Sequence, residues 1–278
     1  MRCSVIVLQY NNTELTRHCL RSLLAHVDRR HQVILVDNDS TEPEARQLGS
    51  EFPGITSVAC EVNGGFSRGN NIGATHATGE VLLFLNNDTL IRSDFVTPLL
   101  RRFDESRQAG IVGPKLLNQD GSFQPSAGRS PTFMREVRDK AIAAAINAGN
   151  RTASRAVERR FARARRVEWV TGAALAIRRD VFDLVEGFDE SFFMYFEDKD
   201  LCTRVRAAGF EVWFDPASEL THLRGGSANP RTALMYRTSQ VHYYHRHRPW
   251  LEQQLLAAYL RFSGKYPGER APEDPARH

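Results

Sequence analysis

The sequence predicts an α/β fold: a Rossmann-like, mainly parallel central sheet flanked by helices, with a helical extension at its carboxyl end. Short apolar runs alternate with helical patterns through the first half of the chain. This alternation indicates right-handed strand–helix–strand crossovers, which make successive strands parallel. Two predicted strands end in clusters of Asp and Asn, at residues 37–39 and 86–88. Side chains just beyond the carboxyl ends of parallel strands share one crevice, so these clusters are expected to lie together.

Four strands are predicted in the first half. They cover residues 4–9, 33–36, 57–62 and 81–85. The first is followed by a helix that begins at Asn11 or Asn12 and has its apolar residues on one face. Pro43 suits the first turn of a second helix, because the N–H that proline lacks is unpaired there. An Asn-Gly-Gly turn precedes a third helix at residues 70–77.

The second half is less regular. Strands are predicted at residues 110–117, 122–124, 167–177 and 212–214, and helices at residues 199–208, 231–247 and 251–262. Gly172 interrupts the third of these strands, and Gly209 ends the first of these helices. The arginine-rich stretch at residues 151–166 has a spacing of alanines that allows a further helix.

Composition excludes several classes of protein. The chain has 278 residues, 41% hydrophobic and 25% charged, as in a protein that buries a core. Its net charge of +4 favours anionic partners but does not indicate nucleic acid, and four scattered cysteines predict neither a disulfide framework nor a zinc site. No apolar run approaches the roughly 20 residues of a membrane-spanning helix, and the first residues lead into a strand rather than a signal peptide. We therefore expect a cytoplasmic protein, either free or attached to the inner face of the cell membrane.

Three acidic clusters carry the candidate chemistry. They are residues 37–39, 86–88 and 197–200. A carboxylate after a parallel strand can accept hydrogen bonds from a nucleotide, and one beside a diphosphate can bind a divalent cation. A third carboxylate can take a proton from a nucleophile. For each cluster taken alone, a helix cap or a solvated turn is the simpler interpretation, and it is the presence of all three together that favours the functional one.

Seven stretches follow one another in a distinctive order. They are SVIVLQYNN from Ser4, VILVDNDS from Val33, NGGFSRGNNIG from Asn63, LLFLNNDT from Leu82, VTGAALAIRRDVF from Val170, GFDESFFMYFEDKDLCTRVRAAGF from Gly187 and THLRGGS from Thr221. Together they resemble the inverting family 2 glycosyltransferases with a GT-A fold, and especially their bacterial rhamnosyltransferase-like branch. The resemblance extends over residues 4–227, which is most of the chain.

The resemblance implies one GT-A domain over residues 1–262. Residues 1–117 would bind the nucleotide sugar, residues 118–230 the acceptor, and residues 231–262 would form carboxyl-terminal helices. Residues 263–278 are rich in Pro, Glu and Arg, so we expect them to be disordered.

For the nucleotide, the resemblance places Asp37 against the pyrimidine base of the donor, where a carboxylate can accept the imide N–H. Asp39 either reaches the ribose or caps the following helix. Arg68 and Asn71 lie in the segment that closes over the nucleotide in this family, and their alternative role is to cap and pack that helix.

For a metal ion, Asn86, Asn87 and Asp88 match the Asp-x-Asp motif of the family, except that the first carboxylate is an amide. Asp88 is the expected ligand of Mg²⁺ or Mn²⁺, whereas Asn86 can bind the metal or the ribose through its oxygen without adding charge. His222 matches a histidine that completes the metal or diphosphate site in some relatives, and an imidazole slightly favours Mn²⁺. Arg224 is expected at the diphosphate.

For catalysis, Asp198 matches the family's general base, and Glu197 is expected to orient it or to bind the acceptor. Asp200 is expected to be a first-turn acid that favours the helix dipole. Trp169 and Gly172 match the strand that lines the acceptor pocket. The aromatic residues before Asp198 can form the floor of a sugar site or belong to the core, and only some of them can face a ligand. They are Phe192, Phe193, Tyr195 and Phe196.

Two basic segments have a composition seen at membrane interfaces. Residues 151–166 contain seven arginines against Glu158 alone, and residues 242–250 combine histidine, arginine and aromatic residues. A solvated helix face is the simpler interpretation of each, and docking to an anionic bilayer that carries a polyprenyl-diphosphate acceptor is the functional one.

The leading hypothesis is a metal-dependent inverting glycosyltransferase that takes L-rhamnose from dTDP-rhamnose to a saccharide or a lipid-linked saccharide in cell-envelope polysaccharide synthesis. A transferase using a UDP-sugar, and a sugar-nucleotide-binding scaffold without turnover, remain open alternatives. A nucleotidyltransferase is disfavoured because the first strand lacks a phosphate loop rich in glycine and lysine. A dehydrogenase is disfavoured because the glycines at residues 64–69 do not have the G-x-G-x-x-G spacing.

Overall fold

The structure, a computed structural model, describes residues 1–223 and 230–267, apart from the side chain of residue 147. Within these residues, ten strands form one central sheet, and a separate pair of short strands lies outside it. Helices cover both faces of the central sheet. The predicted α/β class is confirmed. Of the expected disordered tail, residues 268–278 lie outside the described part of the chain.

The elements are as follows. The strands are β1 (Cys3–Gln9), β2 (Gln32–Asp37), β3 (Thr56–Ala59), β4 (Val81–Asn86), β5 (Thr89–Leu90), β6 (Ala109–Leu117), β7 (Phe123–Gln124), β8 (Ala127–Gly128), β9 (Arg165–Val167), β10 (Trp169–Val170), β11 (Ala174–Arg178) and β12 (Glu211–His222). The helices are α1 (Thr13–His26), α2 (Gly65–Thr75), α3 (Val96–Glu105), α4 (Phe133–Asn147), α5 (Arg151–Arg160), α6 (Arg179–Leu184), α7 (Glu197–Ala207), α8 (Pro230–His247) and α9 (Trp250–Phe262), with a 3-10 helix at Ala45–Glu51.

The central sheet has the strand order β3-β2-β1-β4-β11-β6-β12-β5, with β7 beside β6 and β9 beside β12. β1 is parallel to both neighbours, and Val5 lies opposite Val33 on one side and Leu83 on the other. β11 is antiparallel to β4 and β6, and β6 and β12 run in the first direction again. The carboxyl ends of β1, β2 and β4 therefore lie at one edge of the sheet, as predicted.

Alternation along β1 explains the two layers of core. Val5 and Val7 belong to one apolar cluster with Leu20 of α1. Ile6, between them in sequence, belongs to the cluster on the opposite face with Ala74 of α2. Because both faces of the parallel strands are covered in this way, the polar side chains that follow the strands are left at the open edge.

A third apolar cluster joins the carboxyl-terminal helices to the rest of the molecule. Phe192 and Phe196, which precede α7, are buried with Tyr243 of α8 and with Leu256 and Leu260 of α9. The two last helices therefore pack directly behind the segment that leads into the acidic helix α7.

The start of α1 differs from its prediction. Asn11 and Asn12 both have left-handed backbone conformations, with φ of 55° and 54°, and the Asn12 side chain makes no cap hydrogen bond. Instead, the carboxylate of Glu42 accepts the backbone N–H groups of Asn12, at 3.0 Å, and Thr13, at 2.8 Å. A distant carboxylate thus supplies the negative charge that a helix N-terminus favours.

Other predicted boundaries also need correction. Pro43 precedes a 3-10 helix rather than an α-helix, and the predicted helix at residues 70–77 begins five residues earlier, at Gly65. The strand predicted at residues 212–214 continues through Pro216 to His222, because a register irregularity between Asp215 and Glu219 accommodates the proline. Residues 165–167 form β9 rather than the end of an arginine-rich helix.

None of the helices within residues 1–223 and 230–267 has both the length and the apolar character that crossing a bilayer requires.

Candidate active site

The first side of the site is built at the end of β2. Asp37 is buried, and its Oδ1 accepts the backbone N–H of Ser40 at 3.1 Å. The next residue, Asn38, holds the glycine-rich turn before α2: its Nδ2 donates to Asn63 Oδ1 at 2.8 Å, and its Oδ1 accepts the N–H of Gly64 at 3.1 Å. Asn38 therefore connects the strand end to the turn, a role that the sequence analysis did not assign to it.

Asp39 and Arg68 lie near the same edge. Asp39 has a left-handed φ of 63°, and the next helix begins only at Ala45, so Asp39 is not its cap. Arg68 is exposed on α2. Burial raises the pKa of the Cys60 thiol, and its pKa also responds to the charges of Asp37, Arg68 and Asp39, in that order. The two carboxylates and the guanidinium are therefore all near enough to Cys60 to influence its thiol.

Asn71 has a different place. Its Nδ2 donates to the carbonyl oxygen of Phe188 at 2.9 Å and to Glu190 Oε1 at 3.0 Å, and its Oδ1 accepts the N–H of Phe188 at 2.9 Å. The side chain therefore fastens α2 to the segment that leads towards α7. This is the packing alternative for Asn71, and contact with a nucleotide stays a prediction.

The second side of the site follows β4. The backbone N–H of Asn86 donates to the carbonyl oxygen of Ala173 at 3.0 Å, which fixes the end of the strand against the segment before β11. Asn87 turns towards α1 and donates to Thr16 Oγ1 at 2.8 Å. Asp88 pairs with the end of β12, since its carbonyl oxygen accepts the N–H of Leu223 at 2.8 Å. Asn86 and Asp88 are thus held by backbone contacts at the same edge as Asp37.

Asp88 and His222 face each other across this edge. His222 Nε2 lies 3.1 Å from Asp88 Oδ1, and both side chains are largely buried. The other ring nitrogen, Nδ1, lies 3.0 Å from Gln124 Oε1. Since an amide oxygen only accepts hydrogen bonds, Nδ1 carries the proton in this contact. Gln124, which the sequence analysis did not single out, therefore orients the imidazole.

This donor set fits a divalent cation. A metal-binding histidine usually donates its second ring N–H to an oxygen, as His222 does to Gln124. Two neighbouring ligands of an octahedral Mg²⁺ or Mn²⁺ lie about 3 Å apart, close to the distance between His222 Nε2 and Asp88 Oδ1. Within residues 1–223 and 230–267, no group of three or more His, Cys, Asp and Glu side chains could hold a metal ion. The pair therefore suits a cation that shares its coordination with a ligand such as a diphosphate. Arg224 lies outside the described residues.

The third side of the site is the N-terminus of α7. Asp198 is 7% exposed, and its Oδ2 accepts the backbone N–H of Gly172 at 3.1 Å. Its Oδ1 accepts the backbone N–H of Lys199 at 2.7 Å and lies 3.5 Å from Lys199 Nζ. A Cβ atom at Gly172 would lie 3.1 Å from Cζ of Phe66 and 3.6 Å from Cβ of Asp198. The absence of a side chain at Gly172 thus lets the backbone between β10 and β11 approach the carboxylate closely enough to donate to it.

Glu197 has a contrasting environment. It is 6% exposed, and its Oε2 is buried without a hydrogen-bond partner among the described residues. Burial, reinforced by the neighbouring charge of Asp198, raises the pKa of Glu197 to about 8. At neutral pH Glu197 therefore holds its proton, and the two adjacent carboxyl groups are suited to different tasks.

Lys199 connects Asp198 to two aromatic rings, those of Trp169 and Phe196. Burial alone would lower the pKa of Lys199, but the charge of Asp198 opposes this and raises the pKa above its ordinary value. Its Nζ lies 4.6 Å from the ring centroid of Trp169 and 4.7 Å from that of Phe196. Trp169 Nε1 donates to the carbonyl oxygen of Arg129 at 2.9 Å. The predicted acceptor residue Trp169 therefore also positions the lysine beside Asp198.

The approach to α7 joins the two halves of the site. Gly65, with φ of 77°, lies so close to Phe193 that a Cβ there would be 2.3 Å from the Phe193 carbonyl oxygen. The same oxygen accepts the N–H of Phe66 at 2.7 Å, and Ser67 Oγ donates to the carbonyl oxygen of Phe192 at 2.7 Å. We call these two hydrogen bonds the α2–α7 clamp. It brings the glycine-rich turn and the acidic helix together.

Backbone conformation and burial separate the four aromatic residues. Tyr195 and Phe196 have left-handed φ values of 70° and 67°, a strained arrangement that recurs at functional sites. Phe192 and Phe196 are fully buried and belong to the core, whereas Phe193 and Tyr195 are half-buried. Only Phe193 and Tyr195 are therefore exposed enough to face a ligand.

Asp200 does more than its first-turn position predicts. It is fully buried; its Oδ2 accepts Nε of Arg204 at 2.7 Å, and its Oδ1 lies 2.7 Å from Nε2 of His247 on α8. The basic segment at residues 242–250 is correspondingly not a single surface. Tyr243 and Tyr244 are fully buried, so neither a membrane interface nor a solvated face describes them.

The sequence of the chain matches a known family and is similar to two known rhamnosyltransferases. The model of glycosyl transferase family 2 matches residues 4–183. An N-acetylglucosaminyl-diphospho-decaprenol L-rhamnosyltransferase of Mycobacterium tuberculosis is 27% identical over 268 residues, which cover 90% of this chain and 87% of the relative. The rhamnosyltransferase WbbL of Escherichia coli is 24% identical over 225 residues, which cover 78% of this chain and 82% of the relative.

A solved structure shares the fold. The crystal structure of GalNAc-T7 with UDP, GalNAc and Mn²⁺ superposes with a TM-score of 0.66 at 17% sequence identity, over 99% of this chain and 52% of that chain. This chain thus spans about half the length of that protein. The expected GT-A fold is confirmed.

Proposed function

Given that the chain belongs to glycosyl transferase family 2, we propose that it transfers a sugar, with inversion, from a nucleotide-diphospho donor to a hydroxyl group of an acceptor. The observation that carries this proposal is the Asp198 carboxylate, which accepts the N–H groups of Gly172 and Lys199. The α2–α7 clamp fastens the approach to Asp198 to the glycine-rich turn, which Asn38 holds beside Asp37. The rhamnosyltransferase names of relatives that match most of this chain favour L-rhamnose from dTDP-rhamnose as the donor.

Asp198 is the general base of this proposal. It takes the proton from the acceptor hydroxyl while that oxygen bonds to the anomeric carbon and the bond from that carbon to the nucleoside diphosphate breaks on the opposite side. Glu197 is unsuited to this step near neutral pH, because its raised pKa of about 8 leaves it protonated. We assign Glu197 to orienting Asp198 or the acceptor, and Trp169 and Gly172 to the acceptor side.

The donor would lie along the strand ends. Asp37 accepts the imide N–H of the pyrimidine, while Asp39, Asn86 and Arg68 contact the ribose and phosphates. Asn71 acts by holding the segment at residues 187–190 beside α2.

Asp88 and His222 would hold a divalent cation, Mg²⁺ or Mn²⁺, together with the donor phosphates. When bound, the cation neutralises the charge that develops on the leaving diphosphate. The structure of GalNAc-T7 with UDP and Mn²⁺ supports this part of the proposal through its shared fold. Arg224 remains a proposed further contact to the diphosphate.

We place the reaction in the cytoplasm, in cell-envelope polysaccharide synthesis, with a saccharide or polyprenyl-diphosphate-linked saccharide as acceptor. The acceptor named for the Mycobacterium tuberculosis relative, N-acetylglucosaminyl-diphospho-decaprenol, supports this choice.

A donor screen tests the proposal. Purified protein is mixed with dTDP-rhamnose, UDP-sugars and GDP-sugars, with and without Mn²⁺, and thermal unfolding and release of nucleoside diphosphate are measured. We expect dTDP-rhamnose to stabilise the protein most and to be hydrolysed slowly. If no nucleotide sugar stabilises the protein, the transferase proposal is wrong.

The same screen separates the alternatives. Asn86, in place of a carboxylate, keeps a binding protein without turnover open as the second candidate, although the presence of Asp198 argues against it. Such a protein would be stabilised by the nucleotide sugar without releasing any product. Preference for a UDP-sugar would keep the reaction and change only the donor.

A further inference from the structure

Helix α9 exposes an apolar stripe that the site does not use. Leu251, Leu255, Ala258 and Phe262 follow the spacing that places side chains on one face of a helix. Leu251 is 62% exposed and Phe262 is 96% exposed. Trp250, at the start of the helix, is 70% exposed. We call these residues the α9 stripe.

The stripe is not the exposed side of a loosely attached helix. Leu256 and Leu260, on the opposite face of α9, are almost fully buried with Tyr243 and Tyr244 of α8. Phe133 of α4 adds a ring contact to α9, with its centroid 6.0 Å from that of Tyr259. The helix therefore presents the stripe outward from a fixed position, as helices that lie in a membrane interface do.

The positive charge of residues 151–166 indicates which kind of partner covers the α9 stripe. Residues 151–166 contain seven arginines and one glutamate, so this segment alone exceeds the net charge of +4 of the whole chain. Arg155 and Arg159 of α5 are exposed. α4 packs against both α5 and α9, and it exposes Met134. The exposed apolar residues of α9 and α4 and the exposed arginines of α5 thus lie on three helices that α4 connects.

A lipid surface suits this combination better than other occupants. A twofold interface between two copies that included α5 would bring its arginines near those of the second copy, which is repulsive. Residues 224–229 and 268–278 contain no Leu, Ile, Val, Met, Phe, Tyr or Trp with which to cover the stripe. An anionic bilayer offers both an apolar interior for Leu and Phe and negative head groups for arginine.

We propose that the α9 stripe inserts into the interface of an anionic lipid bilayer while the arginines of α5 contact its head groups. This surface is separate from Asp37, Asp88 and Asp198, so the proposal does not depend on the donor, the base or the metal of the proposed reaction. Within residues 242–250, the buried residues Tyr243 and Tyr244 cannot contact a membrane, whereas the exposed Trp250 at the start of α9 can.

Vesicle flotation tests the proposal. The full chain is mixed with vesicles of phosphatidylcholine alone, or of phosphatidylcholine with phosphatidylglycerol, and the bound fraction is measured. We expect binding to the anionic vesicles and little to the neutral ones. The double variant Leu251→Ser and Phe262→Ser should bind at least about tenfold more weakly, because two large apolar side chains no longer enter the interface.

Leu184→Ser is the matched control. Leu184 is 61% exposed, nearly the same as Leu251, but it lies on α6, which contacts β11. We expect this variant to bind vesicles as the wild type does. Thermal unfolding of each variant verifies that the fold is intact.

A second pair of variants tests the charge contribution. Arg155→Gln and Arg159→Gln should each weaken binding to anionic vesicles about fivefold. Arg101→Gln, an exposed arginine on α3, should have no effect.

Three results would overturn the proposal. One is absence of flotation with anionic vesicles. Another is equal loss of binding in Leu184→Ser and in the α9 double variant. The third is a dimer, detected by light scattering, that Leu251→Ser dissociates, since the stripe would then cover a second copy of the chain.

Discussion

We expect the free energy of unfolding of the native protein to fall as the pH rises, because of Glu197. Replacing Glu197 by glutamine should abolish this pH dependence. Glu197 is buried beside Asp198, and its pKa is about 8 in the folded protein, compared with an ordinary value of 4.5. Below pH 4.5 the group is protonated in both the folded and the unfolded chain. Between pH 4.5 and 8 the unfolded chain has released the proton that the folded protein retains, so the free energy of unfolding falls with rising pH.

The size of this effect follows from the two pKa values. Each pH unit across which only the folded protein retains the proton lowers the free energy of unfolding by about 1.4 kcal/mol. The interval from 4.5 to about 8 therefore gives a ceiling of about 5 kcal/mol. Glutamine has the shape of the protonated acid and does not titrate, so Glu197→Gln lacks this dependence.

Urea unfolding from about pH 5 to about pH 9 measures the difference. We expect the stability of wild type relative to Glu197→Gln to fall across this range, and the exposed control Glu44→Gln to follow the wild type. Transfer by Glu197→Gln near pH 6 to 7 should stay within about tenfold of wild type, because Glu197 is protonated there. Parallel pH profiles of stability, or loss of transfer as severe as in an Asp198 variant, would refute the reasoning.

Three further outcomes are expected. Asp198→Asn should lower transfer at least about 100-fold while donor binding, measured by thermal shift, persists; the exposed control Asp104→Asn should leave both unchanged, and retained transfer would move the base elsewhere. Asp88→Ala should make donor binding weaker and insensitive to Mn²⁺ in calorimetry, and an unaltered Mn²⁺ response would show that the cation site is misassigned. Gly65→Ala should lower the free energy of unfolding in urea by about 1–3 kcal/mol or more, because φ is 77° and the new Cβ meets the Phe193 carbonyl; no loss would contradict the close approach.

The direction of the first strands and the edge that they share could be predicted because both depend on local pattern. Short apolar runs alternating with helices fix the direction of β1, β2 and β4, and with it the common edge that carries Asp37 and Asp88. Elements with weaker local signals were missed. Helix α3, for example, was not predicted, because Pro98 obscures its helical pattern. Pro98 lies in the first turn of α3, where the N–H that proline lacks has no partner within the helix in any case.

The partners of the site residues could not be predicted in the same way. Gln124 and His222 are 98 residues apart in sequence, and their contact depends on β7 and β12 both lying beside β6. Lys199 adjoins Asp198 in sequence, but its contacts with the rings of Trp169 and Phe196 depend on how α7 packs. Contacts of this kind are set by tertiary structure and leave no periodic trace in the sequence.

The α2–α7 clamp has a consequence for the order of events in a catalytic cycle. Its two hydrogen bonds run from Phe66 and Ser67 to consecutive carbonyl groups, so the turn beside the proposed donor site and the approach to the proposed base shift together. A ligand that moved the turn would therefore also move the approach to the proposed base. If donor binding shifts this turn, we expect the affinities of the donor side and the acceptor side to be linked, and such a linkage acts equally in both directions.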